Sequence, residues 1–263
     1  MSSYQLITLL TDFGFNDIYV GVMKGVIAQI NPTLTVIDLT HEIPPQNIAA
    51  AQFNLMSAYP YFPPGTVHIV VVDPGVGGER RSIAIEFSDG FLIGPDNGVF
   101  TGILSRRPIV QVVSLSNTNY WRISNPSYTF HGRDIFAPAA AHLASGVPLK
   151  ELGDIIDPSS LIHLPIPFFT PTPTGFAGTV QHIDRFGNII TSIPGDCVEG
   201  KTWSIPIGKR AIPGCRTYND VKRGNPLALI GSHGWVEIAV NSGDAHFQLR
   251  LNWGDPVKVE VRE

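Results

Sequence analysis

Three side chains in this sequence are of a kind to do chemistry together. Asp12 follows the apolar run LITLL, Asp73 follows VHIVVV, and His131 sits in YTFHGRD just before a helical pattern. Ligands in open α/β sheets bind beyond the carboxyl ends of the strands, and two of these residues stand where a strand pattern stops. Arg80 returns soon after Asp73, behind the turn Pro74-Gly75. A guanidinium matches a carboxylate in a fork. Arg81 is the other candidate partner, and strand alternation would turn the two arginines to opposite faces. A fixed carboxylate and an imidazole suit the orientation of a water and the removal of its proton. Each residue also has a plain structural use. Asp12 could cap a helix or close an Asx turn, Asp73 could be a turn residue, and His131 could be a satisfied loop histidine. Asp12, Asp73 and His131 would also suit a metal by residue type. Their concurrence, with Arg80 close to Asp73, favours a site.

Common short motifs do not account for it. Gly75-Val-Gly77-Gly78 lacks the lysine and Ser/Thr of a phosphate-binding loop and has no third glycine at dinucleotide spacing. There is no GxSxG elbow, and His131 and His142 are too far apart for a zinc-binding HExxH helix. The formal net charge is -4 with no lysine or arginine stripe, which argues against nucleic acid as a partner. No apolar run approaches the ~18 residues that span a bilayer. Met1–Gln5 has neither a basic start nor a long apolar stretch, so no signal peptide is expected. Cys197 and Cys215 lack metal or CxxC spacing. They read as free thiols, and the expected location is the cytoplasm.

The elements that must position these residues form two blocks. Through about residue 165, strand and helix patterns alternate. Strands are expected at 6–10, 35–39, 66–72, 82–87, 91–93 and 109–115, and helices at 17–30, 47–58, 97–105 and 134–145. In the first helix Ile18, Val22 and Val26 define the apolar stripe, widened by Met23, Ile27 and Ile30. The pattern predicts an α/β domain over 1–165, with a largely parallel central sheet flanked by helices. Four prolines between Pro165 and Pro173 cannot continue a helix or a central strand, so 166–175 reads as a linker. Beyond it the helical period disappears. Strand-like runs at 176–183, 188–193, 227–230, 236–240, 246–251 and 257–261 predict a smaller all-β barrel over 176–263.

The segments LLTDFG, THEIPP, VVDPGVGGERRSIAI, GPDNGVF, TFHGRDIFAP, HIDRFGNIITSI and SHGWVEIAVNSG occur in this order. Together they resemble the S-adenosylmethionine (SAM) hydrolases, or SAM hydroxide adenosyltransferases, a family related to the SAM-dependent fluorinase and chlorinase. The resemblance runs from about Leu6 to Val261. It implies an N-terminal α/β domain, a C-terminal β-barrel and a homotrimer with substrate held between subunits. It also implies cleavage of SAM by water to adenosine and L-methionine. The sulfonium makes methionine a neutral leaving group, so displacement at C5′ needs an aligned nucleophile in a dry pocket. It needs no metal, no cofactor and no covalent intermediate.

The resemblance places an Asp–Arg–His set on Asp73, Arg80 and His131. Whether Asp73 or His131 ends with the proton is left open by the sequence. By the same matching Asp12 holds the ribose hydroxyls, and Phe130 walls the space near C5′. Asp184 and Asn188 lie near the ammonium and the base, and Ser232 near the methionine carboxylate. Tyr218 stacks on adenine, while Asn241 and Ser242 meet its edge. The plain uses are a β-hairpin turn for Asp184–Asn188, core packing for Tyr218 and Phe130, and a simple turn for Asn241–Ser242.

Departures from the halogenating relatives are also visible. Gln46 stands in place of a tryptophan, and His233 in place of an arginine. The Asp184–Asn188 spacing is one residue shorter, and 82–96 lacks a long insertion. Asp73 replaces a tyrosine, and His131-Gly132 an aromatic–serine pair. A carboxylate at Asp73 would repel a halide. A SAM-dependent halogenase is thus one alternative reading. A non-catalytic SAM or adenosine binder is another, although it would be marked by loss of the set that is present.

Overall fold

A computed structural model describes residues 5–208 and 210–262. Met1–Tyr4, read above for a leader, lie outside the described residues. The chain divides into two compact units, Met1–Leu164 and Pro165–Glu263.

The first unit is mixed α/β. Its elements are β1 (Leu6–Thr11), α1 (Tyr19–Ile30), β2 (Thr35–Thr40), α2 (Ile48–Ala58), β3 (Thr66–Val71), β4 (Ser82–Phe87), β5 (Gly90–Pro95), α3 (Thr101–Leu104), β6 (Ile109–Ser114) and α4 (Ala137–Ala144). The sheet order is β2-β1-β3-β5-β4-β6. β2, β1, β3 and β5 run parallel, but β4 is antiparallel to both β5 and β6. The sheet is therefore mixed. The cause is local: only Ser88 and Asp89 separate β4 from β5, and a two-residue loop can join only antiparallel strands.

Strand alternation gives the sheet two apolar faces. Val67, Ile69 and Val71 of β3 join α1 and α4 in one core, which includes Met23, Ile27, Ala140 and Phe136. Val70 and Val72 face the other core with Leu55 of α2 and Ile103 of α3. Burial on both faces explains the unbroken apolar run before Asp73. Two helices differ from expectation. In α1 the buried stripe is Val20, Met23, Val26 and Ile27, and Ile18 is exposed before the first turn. The helix expected at 97–105 contracts to α3, because Asn97 and Gly98 form a turn in which Gly98 O accepts from Thr101 N and Oγ1.

The second unit is a nearly closed, barrel-like antiparallel sheet. It comprises β7 (Thr170–Thr172), β8 (Gly175–Ile183), β9 (Ile189–Pro194), β10 (Thr202–Ile207), β11 (Arg210–Pro213), β12 (Pro226–Ile230), β13 (Trp235–Val240), the short helix α5 (Ala245–Leu249) and β14 (Pro256–Arg262). The order is β11-β10-β14-β8-β9-β13-β12. A bridge between Gly214 and Ala228 brings the two ends together.

Two sequence expectations are corrected in this unit, and one hairpin was not foreseen. The linker includes β7, an edge strand paired with β8, a place where Pro171 is tolerated. The run 246–251 is helical at its start, because the Asp244 carboxylate accepts the Phe247 N–H at 2.7 Å and caps α5. The hairpin β10–β11 was not anticipated, since Pro206 and Gly208 interrupt its pattern. Pro206 sits in β10 opposite Ala211.

Candidate active site

β1 and β3 are parallel neighbours, with Thr11 opposite Val71. Their C-terminal ends therefore release Asp12 and Asp73 along one edge of the sheet. A cavity of about 270 Å³ opens there, lined by Asp12, Phe13, Gln46, Asp73, Phe130 and His131, among others. Four of the expected residues are thus brought together: Asp12, Asp73, Phe130 and His131.

Arg80 links two of them. After Asp73, two overlapping turns carry the chain back, with Val76 N–H donating to Asp73 O and Gly78 N–H to Gly75 O. Arg80 Nε donates to both Asp73 carboxylate oxygens at 3.0 Å, and Nη2 donates to Oδ2 at 2.5 Å. Nη2 also donates to His131 Nδ1 at 2.7 Å, and Nη1 to Ser82 Oγ at 2.9 Å. The Arg80 and Asp73 side chains are 8% and 5% exposed, which weakens screening of the pair. Arg81 turns elsewhere: it binds Asp96 and the Ser160 carbonyl, at 2.5 and 2.6 Å.

An arginine can only donate, so His131 Nδ1 is an acceptor and the neutral ring carries its hydrogen on Nε2. Burial, then the Arg80 charge, lowers the His131 pKa against the opposing pull of Asp73 and Asp134. The lowered pKa and the Arg80 donor on Nδ1 both favour the neutral imidazole.

The loop bearing Phe130 and His131 is held from behind by Asp134, which sequence reasoning missed. Fully buried, it accepts from Arg122 Nε at 2.6 Å, from Arg133 Nε and Nη2 at 2.8 Å, and from Ser127 N–H at 2.9 Å. Burial alone would raise its pKa, but these donors hold the carboxyl well below the usual range. The segment Gly132–Phe136 winds as one wide π turn before α4, a feature frequent at functional sites.

Asp12 is fixed by Gln46, whose N–H donates to Oδ2 at 2.7 Å. Gln46 holds the left-handed region at φ 65°, strain that needs support from its surroundings. Next to Asp12, Thr11 Oγ1 accepts the Phe13 N–H and pairs with buried His41 Nδ1 at 2.8 Å. His41 Nε2 lies 3.0 Å from Asp38, which also pairs with Lys24. Phe130 meets Phe13 and Tyr19 edge-on, with ring centres 5.8 and 5.2 Å apart.

The other expected residues belong to the second unit. Asp184 spends its carboxylate on its own turn, accepting from Phe186 N–H, Asn188 N–H and Asn188 Nδ2 at 2.8–2.9 Å. Ser232 is exposed between β12 and β13. Tyr218 donates its hydroxyl to Glu237 at 2.8 Å. Asn241 Nδ2 donates to Val221 O, and Ser242 Oγ to Asn241 Oδ1. Glu237 was also missed; its signal is a lone acid inside the apolar strand WVEIAV. Among the described residues, no group of three or more His, Cys, Asp or Glu side chains is placed to hold a metal ion.

Comparison with known proteins gives this geometry a context. The family models of the SAM hydroxide adenosyltransferase N-terminal and C-terminal domains match residues 7–153 and 178–258. The chain is 40% identical to the (R)-S-adenosyl-L-methionine hydrolase of Salinispora tropica over 260 residues, covering 98% of this chain and 99% of that one. It is 41% identical to the hydrolase of the same name from Thermus thermophilus, covering 95% and 97%. A fluorinase from Actinopolyspora mzabensis is more distant, at 27% identity over 98% of this chain and 97% of its own. The crystal structure of a conserved protein from Thermotoga maritima superposes with a TM-score of 0.90, at 38% identity over 98% of this chain and 100% of that one. The chain belongs to the SAM hydroxide adenosyltransferase family.

Proposed function

We propose that this protein hydrolyses S-adenosyl-L-methionine to adenosine and L-methionine, with water attacking C5′ of the ribose. The observation that carries the mechanism is Arg80 joining Asp73 to His131 at the rim of the cavity that also contains Asp12. The names of the full-length relatives at about 40% identity support the same substrate.

Asp12, with Oδ2 already engaged by Gln46 N–H, offers its remaining lone pairs to the ribose cis-diol. Asp73 accepts a hydrogen bond from the attacking water, and the Nε2–H of His131 donates to that water's oxygen. The C5′–O bond forms as the C5′–S bond breaks, and sulfur keeps the electron pair. The proton passes to Asp73. His131 is a poor acceptor in this arrangement, because Arg80 holds its Nδ1 lone pair and Nε2 already carries hydrogen. Phe130 and Phe13 supply apolar wall between the polar groups of the cavity, and an apolar wall favours a charged substrate becoming neutral products.

The active assembly is read as a homotrimer in which Asp184, Asn188, Tyr218, Ser232, Asn241 and Ser242 serve methionine and adenine. The reaction calls on no metal or cofactor. The free thiols Cys197 and Cys215 support a cytoplasmic setting. Incubation with SAM in chloride at roughly molar concentration, far above ordinary ionic strength, tests the assignment. Equal amounts of adenosine and methionine are expected. Accumulation of 5′-chloro-5′-deoxyadenosine in place of adenosine would contradict it.

A further inference from the structure

Glu237 is a buried acid in the middle of β13, 4% exposed, and the proposed chemistry does not use it. It belongs to a row across the outer side of the sheet, with Leu229, Glu237, Ile190 and His182 in register on β12, β13, β9 and β8. Both its oxygens are engaged. Oε1 accepts the Tyr218 hydroxyl at 2.8 Å, and Oε2 lies 3.2 Å from His233 Nε2. His233 Nδ1 accepts the Trp235 N–H at 3.2 Å, so the ring hydrogen sits on Nε2 and donates to Glu237.

The neighbouring glycine belongs to the same arrangement. A Cβ on Gly231 would lie 2.4 Å from His233 Cε1 and 2.8 Å from Glu237 Oε2. Any side chain there would push the imidazole off the carboxylate. Burial, then the hydrogen bond and charge of Glu237, pushes the Tyr218 phenol pKa up, so the hydroxyl stays a donor. The polar end of Tyr218 is thus anchored while the residue remains 41% exposed.

The backbone around Tyr218 has its own hydrogen bonds. Asn241 Nδ2 donates to Val221 O at 2.8 Å, and Cys215 N–H to Ala228 O at 2.7 Å. Gly224 N–H donates to Asn241 O, and Thr217 and Asp220 cap one another reciprocally. What Glu237 adds is a fixed direction for the Tyr218 ring.

We propose that Glu237, braced by His233 over Gly231, is a positioning residue that sets the Tyr218 ring against the adenine of SAM. The proposal rests on the reading above that Tyr218 meets the base. Both ring nitrogens of His233 are engaged in this arrangement. Pre-fixing an aromatic platform lowers the ordering cost of binding. Lost positioning of this kind raises KM and leaves kcat alone.

The full-length enzyme with Glu237→Gln, Tyr218→Phe, Tyr218→Ala and the Glu237→Gln/Tyr218→Phe pair provides the test, by kcat and KM for SAM. Tyr218→Ala should raise KM about tenfold or more. Glu237→Gln and Tyr218→Phe should each raise it about threefold to tenfold, with kcat within about twofold. The pair should do no more than either alone. Tyr218→Phe breaks the same contact without touching the buried acid, so it answers the question even if Glu237→Gln folds poorly. An unchanged KM in both single variants beside a raised KM in Tyr218→Ala overturns the positioning role and leaves the adenine contact standing. Additive effects in the pair also overturn it. No effect of Tyr218→Ala removes the adenine contact itself, and the proposal with it.

Discussion

At the scale of residues, Arg80 divides the labour between Asp73 and His131. Its donors fix the carboxylate in a fork and hold one imidazole nitrogen as an acceptor. In the proposed mechanism the carboxylate is then the proton's destination. Asp73→Asn keeps the size and loses the charge. It should lower kcat by about 10²- to 10⁴-fold while SAM affinity, read by titration calorimetry, changes little. A near-normal kcat would remove Asp73 from the chemistry. That Asp73, Arg80 and His131 come together was legible in the sequence, because they stand at a strand end, after a turn and before a helix. Strand alternation predicted that Arg80 and Arg81 diverge, and the second does bind Asp96. Gln46 was noted only as a departure from the halogenating relatives, because its backbone N–H rather than its side chain engages Asp12. Asp134 and Glu237 were not legible: both act on other protein groups, so no local spacing marks them.

At the scale of elements, the site depends on two loops meeting closely. Gly77 adopts φ 75°, and a Cβ there would lie 2.2 Å from the Tyr128 carbonyl, two residues before Phe130. Gly77→Ala must therefore move the loop that carries His131, beyond the backbone cost of about 1–2 kcal/mol. Its kcat should fall at least about tenfold, since a displacement near 1 Å can cost more than that. Gly200→Ala is the control, with φ 72° and nothing within 4 Å: it bears a similar backbone cost and should turn over normally. Equal kcat in the two variants would contradict this role for the contact. The central strands β3 and β5 were legible because burial on both faces leaves long apolar runs, and the edge strands β2 and β6 by their β-branched residues. The reversal of β4 was not inferred, although the two-residue Ser88-Asp89 loop requires it. α5 was hidden because its start depends on one capping carboxylate, and β10–β11 because proline and glycine mask alternation.

At the scale of the whole molecule, the division between units falls after Leu164, where the proline run begins. The linker was read from the sequence there because proline cannot extend a helix or a central strand. β7 was missed, because an edge strand carries so little of its own pattern. No helix among the described residues is long and apolar enough to cross a membrane. Water placed by Asp73 and His131 is proposed to attack C5′ of SAM. Turnover of SAM in water enriched in heavy oxygen, with mass analysis of the adenosine, tests it most directly. The label should appear in the adenosine 5′-hydroxyl. Adenosine formed without it would contradict the account.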